Sequence, residues 1–325
     1  MNRVPVLAVG RSGLLYDAVR ALAGSERYRV AAIITDEAYA EYDVGVTAFS
    51  DLAAEVGAEF LTVRKVTAEL VADLVRRLGV QVGISANWRF LIPGAALQEL
   101  PQGILNLHLG RLPDYKGNAT VNWAIVNGEP DICADVHRMV PDLDAGDVLA
   151  RATLPLGSET YVGDVLAWSR AEAPALFIAA LDRLFDGSDE VVVRGSTRGL
   201  RCYPRLPEDG VLDWSRSADQ VSRLVRASSR PYPGSLTVAS SDAEPRRIRV
   251  WRARAVDYPE RFLAAPGQVL AVDRAGGTVD VACGEGVLRL EEVEVDGEAA
   301  RPSDVVRSIR TRFLAHHPAL EAVLA

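Results

Sequence analysis

Cysteine, lysine, histidine and any surplus of positive charge are scarce in this chain, and each scarcity excludes something. Three cysteines, Cys133, Cys202 and Cys283, lie far apart with no CxxC pair, so neither a disulfide framework nor a thiolate metal site is expected, and no metal is assigned. Two lysines stand beside 34 arginines, and acidic side chains outnumber basic ones by 44 to 36, a formal charge of −8. That balance gives no long-range attraction to phosphate backbones or anionic membranes, so a polyanionic partner would need a local basic patch. No apolar run approaches the ~18 residues of a membrane span, and the opening Met-Asn-Arg-Val-Pro carries no targeting pattern. A cytoplasmic protein is the expectation.

What is present is ordinary globular material: 49% hydrophobic and 25% charged residues in a chain of 325, about two domains at roughly 150 residues each. Up to about residue 185, short β-branched runs alternate with amphipathic stretches, the pattern of βαβ units building a parallel sheet. The strands read as Val4–Val9, Tyr28–Thr35, Glu59–Val63, Val80–Ala86, Gly103–Leu109, Ile132–Val140 and Val148–Leu154, with helical spacing at Leu70, Leu74, Val75 and Leu78 and again over Val162–Phe185. Residues 186–209 mix Gly, Ser, Arg and Pro and read as a connector. Beyond it Ser217 is placed to cap a helix carrying Val221, Leu224 and Val225. Short runs at 235–239, 248–256, 268–272, 279–283 and 287–295 suggest a small antiparallel barrel, closed by a helix over Ser303–Leu314. The expected division is a Rossmann-like α/β domain over 1–200 and an OB-like β-barrel domain over 201–325.

The first loop, Gly10-Arg11-Ser12-Gly13, resembles a phosphate-cradling turn without the full GxGxxG spacing, and Asp36 is the sole candidate for a ribose partner; a tight strand-to-helix turn explains it as well. More informative is Ile104-Leu105-Asn106-Leu107-His108-Leu109. Residues two apart on a strand share a face, so Asn106 and His108 project together while the leucines fill the other side. Buried without partners, each would cost several kcal/mol, so both are hydrogen-bonded or open onto a cleft. A loop with Arg111, Tyr115 and Lys116 follows, and Pro141-Asp142-Leu143-Asp144-Ala145-Gly146-Asp147 sets three carboxylates in a turn. A loop lysine and an acidic turn are each common alone. Together, an imidazole, a carboxylate and an amide are the parts needed to deprotonate an amine and stabilise an oxyanion without a covalent nucleophile. His137, on the following strand, reads as structural.

Asn106-x-His108, then Leu112-Pro113 with Tyr115-Lys116-Gly117, then Asp144 in Leu-Asp-Ala-Gly-Asp, resemble the signature of the folate-dependent formyltransferases. The likeness continues through Pro207–Trp214, Arg226-Ala227 and Pro233-Gly234. It implies a Rossmann-like catalytic domain and an OB-like barrel, with 10-formyltetrahydrofolate as co-substrate held by Phe90, Leu91 and Ile92 and by Val140, Pro141, Asp142, Leu143 and Asp144. It also makes Asn106, His108 and Asp144 the catalytic candidates: His108 as general base, Asp144 setting its tautomer, Asn106 as oxyanion donor. Arg111, Tyr115 and Lys116 are the substrate-binding candidates, the two cations suited to a diphosphate or carboxylate.

The tRNA-directed members resembled here carry a basic loop after the second strand, whereas this chain has Thr35–Asp43 with four acids and no base, which repels RNA phosphates. From Arg205 onward 17 basic residues face 18 acidic ones, and the cluster Arg246, Arg247, Arg249, Arg252 and Arg254 alternates with apolar residues as a solvated strand face does. The expected acceptor is therefore a small-molecule amine, with a nucleotide-linked amino sugar favoured, hydroxyornithine the competitor, and tRNA disfavoured. A noncatalytic folate or nucleotide sensor and a nicotinamide dehydrogenase stay open as other classes. The barrel's role, as a homodimer interface or a cover for the acceptor, is also open.

Overall fold

The computed structural model describes residues 3–37, 44–187, 191–240 and 245–315. Residues 38–43 of the acidic segment lie outside the described residues. The chain divides into two compact units, each discontinuous: the first holds residues 1–120, 131–155 and 166–203, the second 121–130, 156–165 and 204–325.

The first unit is built from β1 (Val4–Gly10), α1 (Ser12–Ala23), β2 (Tyr28–Thr35), α2 (Val46–Val56), β3 (Glu59–Thr62), α3 (Ala68–Leu78), β4 (Val82–Ala86), α4 (Gly94–Gln98), β5 (Ile104–Leu109) and β6 (Lys116–Gly117). After α5 (Thr120–Asn127), which from residue 121 on falls in the second unit, come β7 (Asp131–Arg138), β8 (Val148–Pro155), α6 (Val162–Phe185), in the first unit from residue 166 on, and β9 (Arg201–Cys202). The seven-stranded sheet runs β3-β2-β1-β4-β5-β7-β8. Strand β1 shows why such strands are apolar on every residue: Val6 and Ala8 enter the core on one face, Leu7 and Val9 the core on the other. Strands β1 to β5 are parallel as expected, but β7 is antiparallel to both β5 and β8. The segment 139–147 between β7 and β8 is too short for a parallel crossover, so the chain turns back as a hairpin.

The second unit centres on α7 (Ala218–Ser228) and a curled antiparallel sheet of β10 (Ser235–Ser240), β11 (Arg246–Val256), β12 (Val269–Asp273), β13 (Thr278–Ala282), β14 (Val287–Val295) and β15 (Glu298–Ala300). The single-turn α8 (Pro302–Val305) and β16 (Arg312–Leu314) complete it. Ser217 caps α7, its side chain accepting from the Gln220 N–H while Gln220 reaches back to the Ser217 N–H. A helix over 303–314 is not formed. Thr311 and Phe313 are buried between exposed Arg310 and Arg312, an alternation that belongs to a strand. Here β16 pairs with β10 and closes the curl by donating from Phe313 N–H to the Gly267 carbonyl at 2.7 Å. The Phe313 ring lies 5.2 Å from that of Trp214 in the core.

The arginine-rich β11 is a ladder of ion pairs: Arg249 meets Glu294 at 2.8 Å and Arg254 meets Glu291 at 2.7 Å. Trp251 is flanked by the guanidinium groups of Arg230 and Arg249. Among the described residues no helix is long and apolar enough to cross a membrane.

Candidate active site

Asn106 and His108 leave β5 on one face, and the antiparallel register sets His137 opposite Asn106 and Asp135 opposite His108. Directly opposed residues put their side chains within about 5 Å of each other, and the contacts follow from that. The Asn106 amide donates from Nδ2 to Nε2 of His137 at 3.2 Å, while His137 Nδ1–H donates to the Arg138 carbonyl at 3.2 Å. The two bonds fix one tautomer of His137 and one orientation of the Asn106 amide. Burial, then the neighbouring His108, push the His137 pKa down to about 4, against the opposing pull of Asp144 and the Arg138 carbonyl. His137 is therefore a neutral imidazole in a buried site.

His108, 7% exposed, donates from Nε2 to the Tyr115 carbonyl at 2.7 Å. Its Nδ1 faces Oδ2 of Asp144 at 3.6 Å, and Oδ1 of the same carboxylate lies 3.6 Å from His137 Nε2. Both gaps exceed a hydrogen bond, so the Tyr115 carbonyl, not Asp144, sets the His108 tautomer. Asp144 is held in turn by the Gly117 N–H at 2.8 Å and sits at φ 46°, on the left-handed side. The turn that carries it passes so close to β7 that a Cβ on Gly146 would stand 1.7 Å from the Arg138 carbonyl oxygen. The three catalytic candidates thus converge, with His137 as a fourth member. The sequence held a signal for it in Cys133, Asp135 and His137, alternate residues of one strand face.

The two segments named for the co-substrate approach each other at Gly94 and Pro141. Leu91 is 73% exposed, Ile92 is buried, and the Phe90 ring has the guanidinium carbons of Arg64 and Arg89 at 5.9 and 5.4 Å. Pro141 and Asp142 are exposed, and a Cβ on Gly94 would meet Pro141 Cγ at 3.2 Å. Val140 and Leu143 are half-buried. Of the substrate-binding candidates, Arg111 pairs with Asp131, Tyr115 is buried at φ 55°, and the buried Lys116 donates to the Ser196 carbonyl. The first loop is filled from within. Arg11, 2% exposed, donates to the Asn87 and Glu37 carbonyls, and Gly10 approaches the Ala86 carbonyl too closely for any Cβ. Among the described residues no group of three or more His, Cys, Asp or Glu is placed to hold a metal ion.

The formyl transferase family model matches residues 2–181, and the model of the formyl transferase C-terminal domain matches residues 206–310; the chain belongs to the formyltransferase family. Among solved structures it is similar to an N-formyltransferase from Helicobacter canadensis in complex with folinic acid and dTDP-3-aminofucose, at 11% identity and TM-score 0.65, covering 88% of this chain and 98% of that one. It is similar to WlaRD, a sugar 3N-formyl transferase in the presence of dTDP and 5-N-formyl-THF, at 10% identity and TM-score 0.63, covering 92% and 100%. HypX from Aquifex aeolicus in complex with tetrahydrofolic acid matches at 16% identity and TM-score 0.58, over 95% of this chain and 48% of HypX. The chain thus spans about half the length of HypX, and these likenesses show a shared fold.

Proposed function

We propose that the chain transfers a formyl group from 10-formyltetrahydrofolate to the primary amine of a small molecule, a nucleotide-linked amino sugar. The observation that carries this reading is the convergence of Asn106 and His108 on β5 with Asp144 in the turn after β7, Asn106 being linked to the other two through His137. The adjoining loops 90–92 and 140–143 fit the donor. Exposed Leu91 offers an apolar wall, and Arg64 and Arg89 beside Phe90 suit the carboxylates of its glutamyl tail. The sugar-directed members among the similar structures, and the acidic segment after β2, support a small acceptor over tRNA.

The chemistry follows from the hydrogen bonds. With Nε2–H committed to the Tyr115 carbonyl, Nδ1 of His108 is the nitrogen left to accept a proton from the attacking amine. The imidazolium so formed is stabilised by the Asp144 carboxylate 3.6 Å away. As the new amide bond forms, the bond to the folate nitrogen breaks, and His108 returns the proton to that departing nitrogen. Asn106 keeps one amide hydrogen on His137 and offers the other to the developing oxyanion.

Release of tetrahydrofolate, followed with an amino-sugar nucleotide, hydroxyornithine and charged initiator tRNA in turn, tests the proposal. Turnover with the amino-sugar nucleotide alone is expected. Turnover with another acceptor reassigns the substrate, and donor binding without transfer to any amine overturns the enzymatic reading.

A further inference from the structure

Asp135 is fully buried next to His108, and its carboxylate is completely engaged. Arg151, its register partner on β8, donates from Nε to Oδ1 and from Nη2 to Oδ2, both at 2.6 Å. The remaining contacts go to one residue of the neighbouring loop. Leu112 N–H donates to Asp135 Oδ2 at 3.0 Å, and Arg151 Nη2 donates to the Leu112 carbonyl at 2.8 Å. A fork of one buried carboxylate and one half-buried guanidinium therefore grips both main-chain groups of Leu112.

Burying such a pair is a poor route to stability, because the desolvation of two charges offsets most of their attraction. What it supplies is placement. Charge-assisted hydrogen bonds are short and directional, and the loop they hold carries the groups that address the site. Three residues past Leu112, the Tyr115 carbonyl receives His108 Nε2–H; two residues further, Gly117 N–H binds Asp144. The downstream end of the loop is tied separately, by Lys116 and Gly117 pairing with Arg201 and Cys202. The upstream end is also closely fitted, since a Cβ on Gly110 would lie 2.5 Å from the Tyr115 carbonyl oxygen and 2.6 Å from His108 Nε2.

We infer that Asp135 and Arg151 are positioning residues for formyl transfer: by fixing the Leu112 backbone they set the Tyr115 carbonyl and Gly117 N–H against His108 and Asp144. The inference rests on the proposed roles of His108 and Asp144, and it explains two charged side chains whose hydrogen bonds go to each other and to the Leu112 backbone.

The test uses the full chain with its histidines 15N-labelled, comparing the unsubstituted protein with Asp135→Asn and Arg151→Lys. Arg151→Lys keeps a cation for Asp135 but cannot bridge it to Leu112, and it serves where Asp135→Asn does not fold. His108 is assigned by the loss of its signals in His108→Gln. The expected result is a protected His108 Nε2 proton in the unsubstituted chain, exchanging at least tenfold faster in the folded variant while the His137 signals stay in place. With it, kcat falls at least tenfold at a donor KM changed less than twofold. Unchanged exchange and kcat in a folded variant would overturn the inference, as would losses that simply track the unfolded fraction. The exchange readout does not depend on turnover: an unsubstituted chain without formyl transfer defeats the proposed function, while proton exchange still decides the clamp.

Discussion

Asn106 has two amide hydrogens, and the structure uses one. His137 takes it, and in the proposed reaction the other meets a substrate oxygen. Removing a lone oxyanion donor costs roughly 3 kcal/mol of transition-state stabilisation. Asn106→Ala is therefore expected to keep its fold by circular dichroism and lose about 10²–10³-fold in kcat. His137 makes a second prediction, this one about stability. The unfolded chain protonates this residue near pH 6.5, but the folded chain resists protonation until about pH 4. Between those values the unfolded state binds more protons, so stability falls as pH is lowered through the window. In urea titrations His137→Gln should lose on the order of 1–3 kcal/mol less than the unsubstituted chain between pH 7 and pH 4. At this scale the shared face of Asn106 and His108 was legible from strand alternation, and the resemblance joined Asp144 to them as a candidate. The Tyr115 carbonyl was not, because a backbone group leaves no mark on residue identity, and His137 needed the antiparallel register of β7 to connect it with Asn106.

Elements bring these groups together through a few close approaches. Gly110 ends β5 against His108 and Tyr115, and Gly110→Ala forces a methyl group into that contact. Overpacking of this kind costs typically about 1–3 kcal/mol. The variant should show that loss in thermal unfolding, with a fall in kcat larger than the unfolded fraction explains. In the other unit, Ser217→Ala removes the cap from α7 and should cost about 1 kcal/mol, read in the same melt, with donor affinity of the folded protein unchanged. Long β-branched runs such as Tyr28–Thr35 and Val287–Val295 declared themselves as strands over their observed bounds. Shorter pieces did not. β16 is three residues whose alternation is hard to tell from helical spacing, and β6 and β9 are two-residue pairings made only when distant segments meet.

At the scale of the whole molecule, alternation of strands and helices carried the α/β class, and evenly spaced short strands carried the barrel. Periodicity does not encode strand direction, and so the antiparallel β7 and β8 emerged only from the structure. That reversal matters chemically, because it sets His137 opposite Asn106 and aims the following turn, with Asp144, back at β5. The two units are also discontinuous in sequence, with residues 121–130 and 156–165 clustering with the C-terminal part, an association no linear scan for linkers detects. We propose that this convergence moves a one-carbon acyl group between nitrogens. It is tested most directly by 13C nuclear magnetic resonance with donor labelled at the formyl carbon and an amino-sugar nucleotide as acceptor. The label is expected to leave the folate and appear as an acceptor formamide, at least 10²-fold more slowly in Asp144→Asn. Label that stays on the folate, or that transfers equally fast without the Asp144 carboxylate, would contradict it.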